Sequence, residues 1–282
     1  MILHNSKELQ EYVLRMMRTQ LMDKSGGFLL IASPWVSDFT FEEGVISMDS
    51  ELIKIFPEEI TLLELIQMVS RSVAHSKKKP LFIVHDFSIN IVEKPLNLLL
   101  DEVLTQLDES DNWFLYKELS NYFYQKTNFN RIWLNRGIVG KIFENRNYKG
   151  KDITKAISEI GSKMDQIEKN KEYLDMLRNL INAGSVVLLN KKFHLKIFMT
   201  DNAVLAGSSN WTYSGFNRND ELNIYISKQS DELEFKVLRR YLDDLIKESE
   251  EIDLEKIDYF ITICNYFLEL YQKLVKDLSI LT

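Results

Sequence analysis

One stretch of the sequence concentrates side chains able to do covalent chemistry on a phosphate. It runs His194-Leu195-Lys196-Ile197-Phe198-Met199-Thr200-Asp201, then Gly207-Ser208-Ser209-Asn210, and then Glu221. His194 and Lys196 are two residues apart, so on a strand they point to one face of a sheet. A cation buried beside a histidine is costly unless an anion shares the site. Asp201-Asn202 reads as a turn into a strand ending at Gly-Ser-Ser-Asn. That brings backbone N–H groups, a hydroxyl and an amide to the same sheet edge. His, Lys, Ser and Asn together could cradle a phosphate with a nucleophile in it. The bland alternative is a surface hairpin whose Lys and Asp are merely solvated. A chance H-x-K is common, but all these elements in order are not.

The pattern resembles the signature of the phospholipase D superfamily, H-x-K-x4-D followed by G-S-x-N and a downstream Glu. The resemblance rests on His194, Lys196, Asp201, Gly207, Ser208, Asn210 and Glu221. It departs in one place. Five residues, Asn202–Ala206, separate the Asp from the Gly-Ser pair where the family has six, which could shift Ser208 and Asn210 slightly. The resemblance implies that His194 attacks phosphorus and forms a phosphohistidine. Lys196 and Asn210 would hold the nonbridging oxygens, with Ser208 assisting and Glu221 orienting and polarising His194. Asp201 would turn the hairpin and pair with a neighbouring base. No metal and no cofactor is implied, because side chains supply the cations.

The family's chemistry uses two histidines, one as nucleophile and one as general acid for the leaving oxygen. This chain has four, His4, His75, His85 and His194. Only His194 opens an H-x-K that continues into the signature. His75 has Lys77 two residues on but opens the polar run Ser76-Lys77-Lys78-Lys79. His85, in Val84-His85-Asp86-Phe87, ends an apolar run and lacks the Lys. The favoured expectation is a homodimer in which each chain contributes one motif. A decayed first half, marked by Ser33-Pro34-Trp35, and His85 as an acid within the chain are the alternatives.

These residues must be positioned by an α/β scaffold. Ser6–Met22 has helical periodicity, with Leu9, Val13, Met16, Met17 and Leu21 on one side and Asn5/Glu8 as a capping box. Phe28–Ala32 reads as a buried strand stopped by Pro34. Thr61–Val73 reads as a helix, Leu81–Val84 as a strand, Pro95–Leu107 as a helix and Trp113–Tyr116 as a strand. This alternation predicts a mixed, largely parallel sheet flanked by helices. Lys155–Ile181 is a long helical pattern. Strands follow at Ser185–Leu189, Leu195–Met199, Val204–Ala206 and Leu222–Ile226. The expected organisation is a single domain over 1–282, with a helical, basic insertion at about 121–182 and a helical, acidic tail at about 231–282.

The 282-residue chain carries a net charge of −7, with 45% hydrophobic and 27% charged residues, as in ordinary globular proteins. Its single cysteine, Cys264, excludes an intrachain disulfide and a Cys-rich zinc site and reads as a buried thiol. That composition fits a reducing, cytoplasmic location. No signal peptide and no membrane span is expected. The distribution of charge says more than its total. Asn121–Thr200 holds 15 Lys+Arg against 7 Asp+Glu, a net of +8. Within it, Lys126–Lys155 contains Lys126, Arg131, Arg136, Lys141, Arg146, Lys149, Lys151 and Lys155 against Glu144 and Asp152. Phe129, Trp133, Phe143 and Tyr148 are interleaved. Basic residues track phosphates and aromatics stack on bases. Lys126, Arg131, Trp133, Arg136 and Lys141 are therefore expected to bind substrate, although a solvated basic face is the alternative. A nuclease comes first, a phospholipase or phosphatidyl transferase second, and a non-catalytic nucleic-acid-binding scaffold third. Stand-alone bacterial relatives of the family suggest a role in phage defence.

Overall fold

The computed structural model describes residues 1–3, 6–22, 27–47, 49–72, 79–86, 150–191, 193–218 and 221–280. Two compact units divide the chain, one formed by 1–86 with 175–257, the other by 87–174 with 258–282. The expected insertion at about 121–182 falls mostly within the second unit. The expected helix Pro95–Leu107, the strand Trp113–Tyr116 and Asn5 lie outside the described residues.

The first unit is built on one mixed sheet. Its strands are β1 (Ile2–Leu3), β2 (Leu29–Ala32), β3 (Leu81–His85), β4 (Val186–Asn190), β5 (Lys196–Thr200), β6 (Ala203–Gly207), β7 (Asn223–Ser227) and β8 (Glu250–Ile252). Their order is β1-β7-β6-β5-β2-β3-β4-β8. The mixed α/β sheet agrees with the sequence, but the expectation that it is largely parallel needs correction. Among the described strands only β2–β3 and β3–β4 pair in parallel, and the other five pairings are antiparallel. The reason is connection length. Two residues, Asp201-Asn202, join β5 to β6, and so short a link can only make a hairpin. Strands β1 and β8 are too short to carry a periodic signal, and β8 interrupts the tail that reads as wholly helical.

Helices of the same unit flank this sheet. α1 (Ser6–Met22), α2 (Glu43–Ser47) and α3 (Leu62–Ser72) precede β3; α4 (Gly150–Asn182) leads into β4. α5 (Tyr213–Asn217), α6 (Glu232–Lys247) and α7 (Leu254–Ile280) complete the chain order. Alternate strand residues face opposite sides. Leu30, Ala32, Ile83, Ile197, Met199 and Val204 share a buried cluster with Phe235, Leu242 and Leu245 of α6. α1 buries Leu9, Val13, Leu14, Met16 and Met17 and contacts α3 and α5. Burying each such side chain stabilises the fold by about 1.5–3 kcal/mol. Cys264 is buried, as its apolar surroundings predict.

Candidate active site

The strand directions decide where the chemistry-bearing residues meet. β2, β3, β4 and β6 all run one way, and β5 and β7 run the other. The ends of the first four and the starts of the last two therefore line one edge of the sheet. Along it lie Ser33-Pro34-Trp35, His85, Asn190, His194, Ser208-Ser209-Asn210 and Glu221-Leu222. Parallel pairing gives way to antiparallel pairing at β2, between β3 and β5. A crevice outside the strand ends at such a switch in order is where open α/β sheets take ligands.

The motif strands are held in register by a tight hairpin. Lys196 pairs with Gly207, and Gly207 in turn with Asn223. The five-residue spacing of Asn202–Ala206 is thus accommodated by the two-residue turn, with the Gly-Ser-Ser-Asn segment still beside Lys196. Gly207 has no room for a side chain, since a Cβ there would strike the Leu222 carbonyl and Asn223. His194 lies just before β5 and is exposed; Lys196 is half-buried. The Lys196 ammonium donates to the His194 carbonyl oxygen at 3.0 Å. Ser208 Oγ accepts from the Leu222 N–H at 3.0 Å, and the Ser208 N–H donates to the Leu222 carbonyl at 3.1 Å. That clamp joins the serine to the residue following Glu221, itself half-buried.

Residues to which the sequence assigned no part in the chemistry fix the Ser-Asn turn. Ser209 is buried and its hydroxyl accepts from the Asn223 amide at 2.8 Å. The buried Ser33 hydroxyl accepts from the Trp211 N–H at 3.1 Å and donates to the Trp35 carbonyl at 2.6 Å. Trp211 packs on Phe198 and Phe216, with ring centroids 5.2 and 5.1 Å away. Thr212 caps α5, its hydroxyl accepting from the Gly215 N–H at 3.3 Å. Gly215 lies so close to the backbone of Asn210 that a Cβ would overlap the Asn210 carbonyl. From α1, the buried Gln10 amide donates to the Phe216 carbonyl at 3.2 Å and to Asn217 at 2.7 Å. The only signals for these contacts in the sequence were the serine next to Pro34 and the aromatics after Asn210. Asn210 Oδ1 is buried without a hydrogen-bond partner.

Asp201 sits at the opposite end of β5 from His194. Its carboxylate accepts from the Phe28 N–H at 2.6 Å, so its partner is a backbone amide and not a basic side chain. It joins the start of β2 to the β5–β6 turn and takes no place at the His194 edge. Lys126, Arg131, Trp133, Arg136 and Lys141 lie outside the described residues, as do His4 and His75. His85 does reach the site. Its ring centroid is 6.4 Å from that of His194, with the two planes 24° apart. The His85 N–H donates to the Pro34 carbonyl at 3.4 Å.

No group of three or more His, Cys, Asp or Glu side chains converges at metal-binding range among the described residues. None of their helices is long and apolar enough to cross a membrane. A family model described as the phospholipase D-like domain of cardiolipin synthase matches residues 134–245. The matched stretch takes in His194, Lys196, Asp201, Gly207, Ser208, Asn210 and Glu221 and leaves out His85. No curated protein matches the chain.

Proposed function

Since the chain belongs to the phospholipase D superfamily through residues 134–245, we propose that it is a metal-independent nuclease. In this reading it cuts DNA or RNA through a phosphohistidine on His194. The observation that carries it is the convergence of the exposed His194 with Lys196, Ser208 and Asn210 at one sheet edge, fixed by the Lys196–Gly207 register. Lys196 and Asn210 stabilise the charge on the nonbridging oxygens, the work a metal does in other phosphodiesterases. Ser208 assists them, and Glu221 orients His194. Nucleic acid is favoured by the +6 balance of Lys126–Lys155 and its interleaved aromatics. Trp35, 41% exposed, and Tyr213, 47% exposed with the Arg218 guanidinium 5.1 Å from its ring, add stacking surfaces in the site's own unit. Phage defence in the cytoplasm is the setting that belongs with this reading.

Two observations favour second readings. The family model's description names cardiolipin synthase, which supports a phospholipase or phosphatidyl transferase. The single complete motif per chain supports a homodimer with His194 of two copies at one shared site. Incubation with DNA, RNA and phosphatidyl lipids in EDTA tests the proposal. Nucleic-acid cleavage that survives EDTA is expected. Cleavage of lipid alone would replace the substrate assignment, and complete loss with rescue by magnesium would overturn the mechanism.

A further inference from the structure

We infer that His85 is the proton donor to the leaving oxygen, so that one chain carries both histidines of its reaction. The inference rests on the phosphohistidine reading of His194 and adds a residue outside both the motif and the 134–245 match. His85 ends β3 and His194 precedes β5, with β2 between them. Two strand spacings amount to about 9.5 Å, yet the ring centroids are 6.4 Å apart. The rings therefore lean toward each other across the end of β2. That end is Ala32-Ser33, two small, fully buried side chains. At this separation a single phosphodiester can touch both rings.

The two nitrogens of His85 are not equivalent. Nδ1 is buried and has no hydrogen-bond partner. The ring as a whole is half-buried, so Nε2 is the nitrogen left to meet a substrate. A histidine kept for packing alone would satisfy its buried nitrogen, because an unmade buried hydrogen bond costs about 1–3 kcal/mol. The backbone fixes His85 independently of its ring, through the Pro34 carbonyl and the pairing with Asn190 on β4. A ring whose backbone is held in place, with its buried nitrogen unused by the protein and its centroid 6.4 Å from that of His194, is suited to proton transfer.

In the first half of the reaction, the neutral nitrogen of His194 forms a bond to phosphorus as the bond from phosphorus to the leaving oxygen breaks. Protonated His85 gives that oxygen its Nε2 proton, and the leaving strand departs as an alcohol. A water then attacks the phosphohistidine, the N–P bond breaks, and neutral His85 takes the water's proton. No oxidant, reductant or metal enters. Without a Lys after His85, the charge on the nonbridging oxygens is left to Lys196 and Asn210.

The test uses two substrates that differ in their need for an acid. An oligonucleotide that the wild type cleaves has an alkoxide leaving group, whereas bis(p-nitrophenyl) phosphate leaves as a stable phenolate. His85→Gln and His85→Asn should lower oligonucleotide turnover about 10²–10⁴-fold. In single turnover they should release p-nitrophenolate within about tenfold of wild type. The phosphoryl group should then stay on His194, visible as a mass increase, because the base for its hydrolysis is missing. Equal losses on both substrates by a variant that melts like wild type, or no loss on either, would overturn the assignment. His194→Ala separates the two ideas. If it still releases p-nitrophenolate at the wild-type rate, the phosphohistidine reading fails, and His85 with it. If His194→Ala is dead and His85→Gln is normal, only the inference about His85 fails.

Discussion

His194 and Asp201 stand at opposite ends of one five-residue strand and should fail in opposite ways when replaced. His194 is exposed, so His194→Ala removes chemistry without opening a cavity. Turnover should fall by several orders of magnitude, each tenfold being about 1.4 kcal/mol of barrier, with an unchanged melting curve. Wild-type-like cleavage by the folded variant would remove the nucleophile from the site. Asp201 instead spends its carboxylate on the Phe28 N–H at 2.6 Å. A charged hydrogen bond of this kind contributes about 1.5–3 kcal/mol. Asp201→Ala should therefore lower the midpoint of urea unfolding while sparing the catalytic rate of the protein that remains folded. A large fall in turnover with normal stability would restore Asp201 to the chemistry.

At the scale of elements, the hairpin β5–β6 and the turn after it are what the site depends on. Gly207 makes the sharpest prediction. A methyl group there meets the Leu222 carbonyl and Asn223, so Gly207→Ala must push β6 and β7 apart. It should cost stability by about 1–3 kcal/mol, as overpacking does, and should slow turnover, because Ser208 and Asn210 move with the strand. Unfolding midpoints and single-turnover rates measured together check this, and a variant stable and active as wild type would refute the close approach. The hairpin was legible in the sequence because its residues are consecutive and its turn is polar. The helices Ser6–Met22 and Thr61–Val73 were legible because their apolar stripes are long, and they returned within a residue or two as Ser6–Met22 and Leu62–Ser72. What could not be read is what pairs over long sequence distances. Nothing local tells β2 to lie between β3 and β5, and so nothing local brings His85 beside His194. The Ser33–Trp211 and Gln10–Phe216 hydrogen bonds span 178 and 206 residues and leave no periodic trace. The excess of antiparallel pairings was missed for the same reason, since a βαβ pattern in the first third said nothing of the hairpins in the last.

At the scale of the whole molecule, an acidic protein of net charge −7 must still attract a polyanion if it is a nuclease. Asn121–Thr200, at +8, leaves the remaining chain at −15. A nuclease of this charge depends on that segment to draw in its substrate. Reversing Arg131, Arg136 and Lys141 to Glu should weaken binding of DNA or RNA and flatten the dependence of affinity on salt, since a phosphate that is no longer neutralised keeps its counterions. An unchanged salt slope would mean that these residues are merely solvated. The number of chains per active site is the other property of the whole molecule, and titrating wild type with His194→Ala measures it. If the acid is His194 of a second copy, every mixed dimer has a single His194 and is dead. Activity then falls with the square of the wild-type fraction once subunits have exchanged. If His85 supplies the acid, each wild-type chain is complete, and activity falls only in proportion to that fraction, whether or not the chains associate. The linear outcome is the one expected from two rings 6.4 Å apart in one chain, and a quadratic loss after verified subunit exchange would return the site to the dimer.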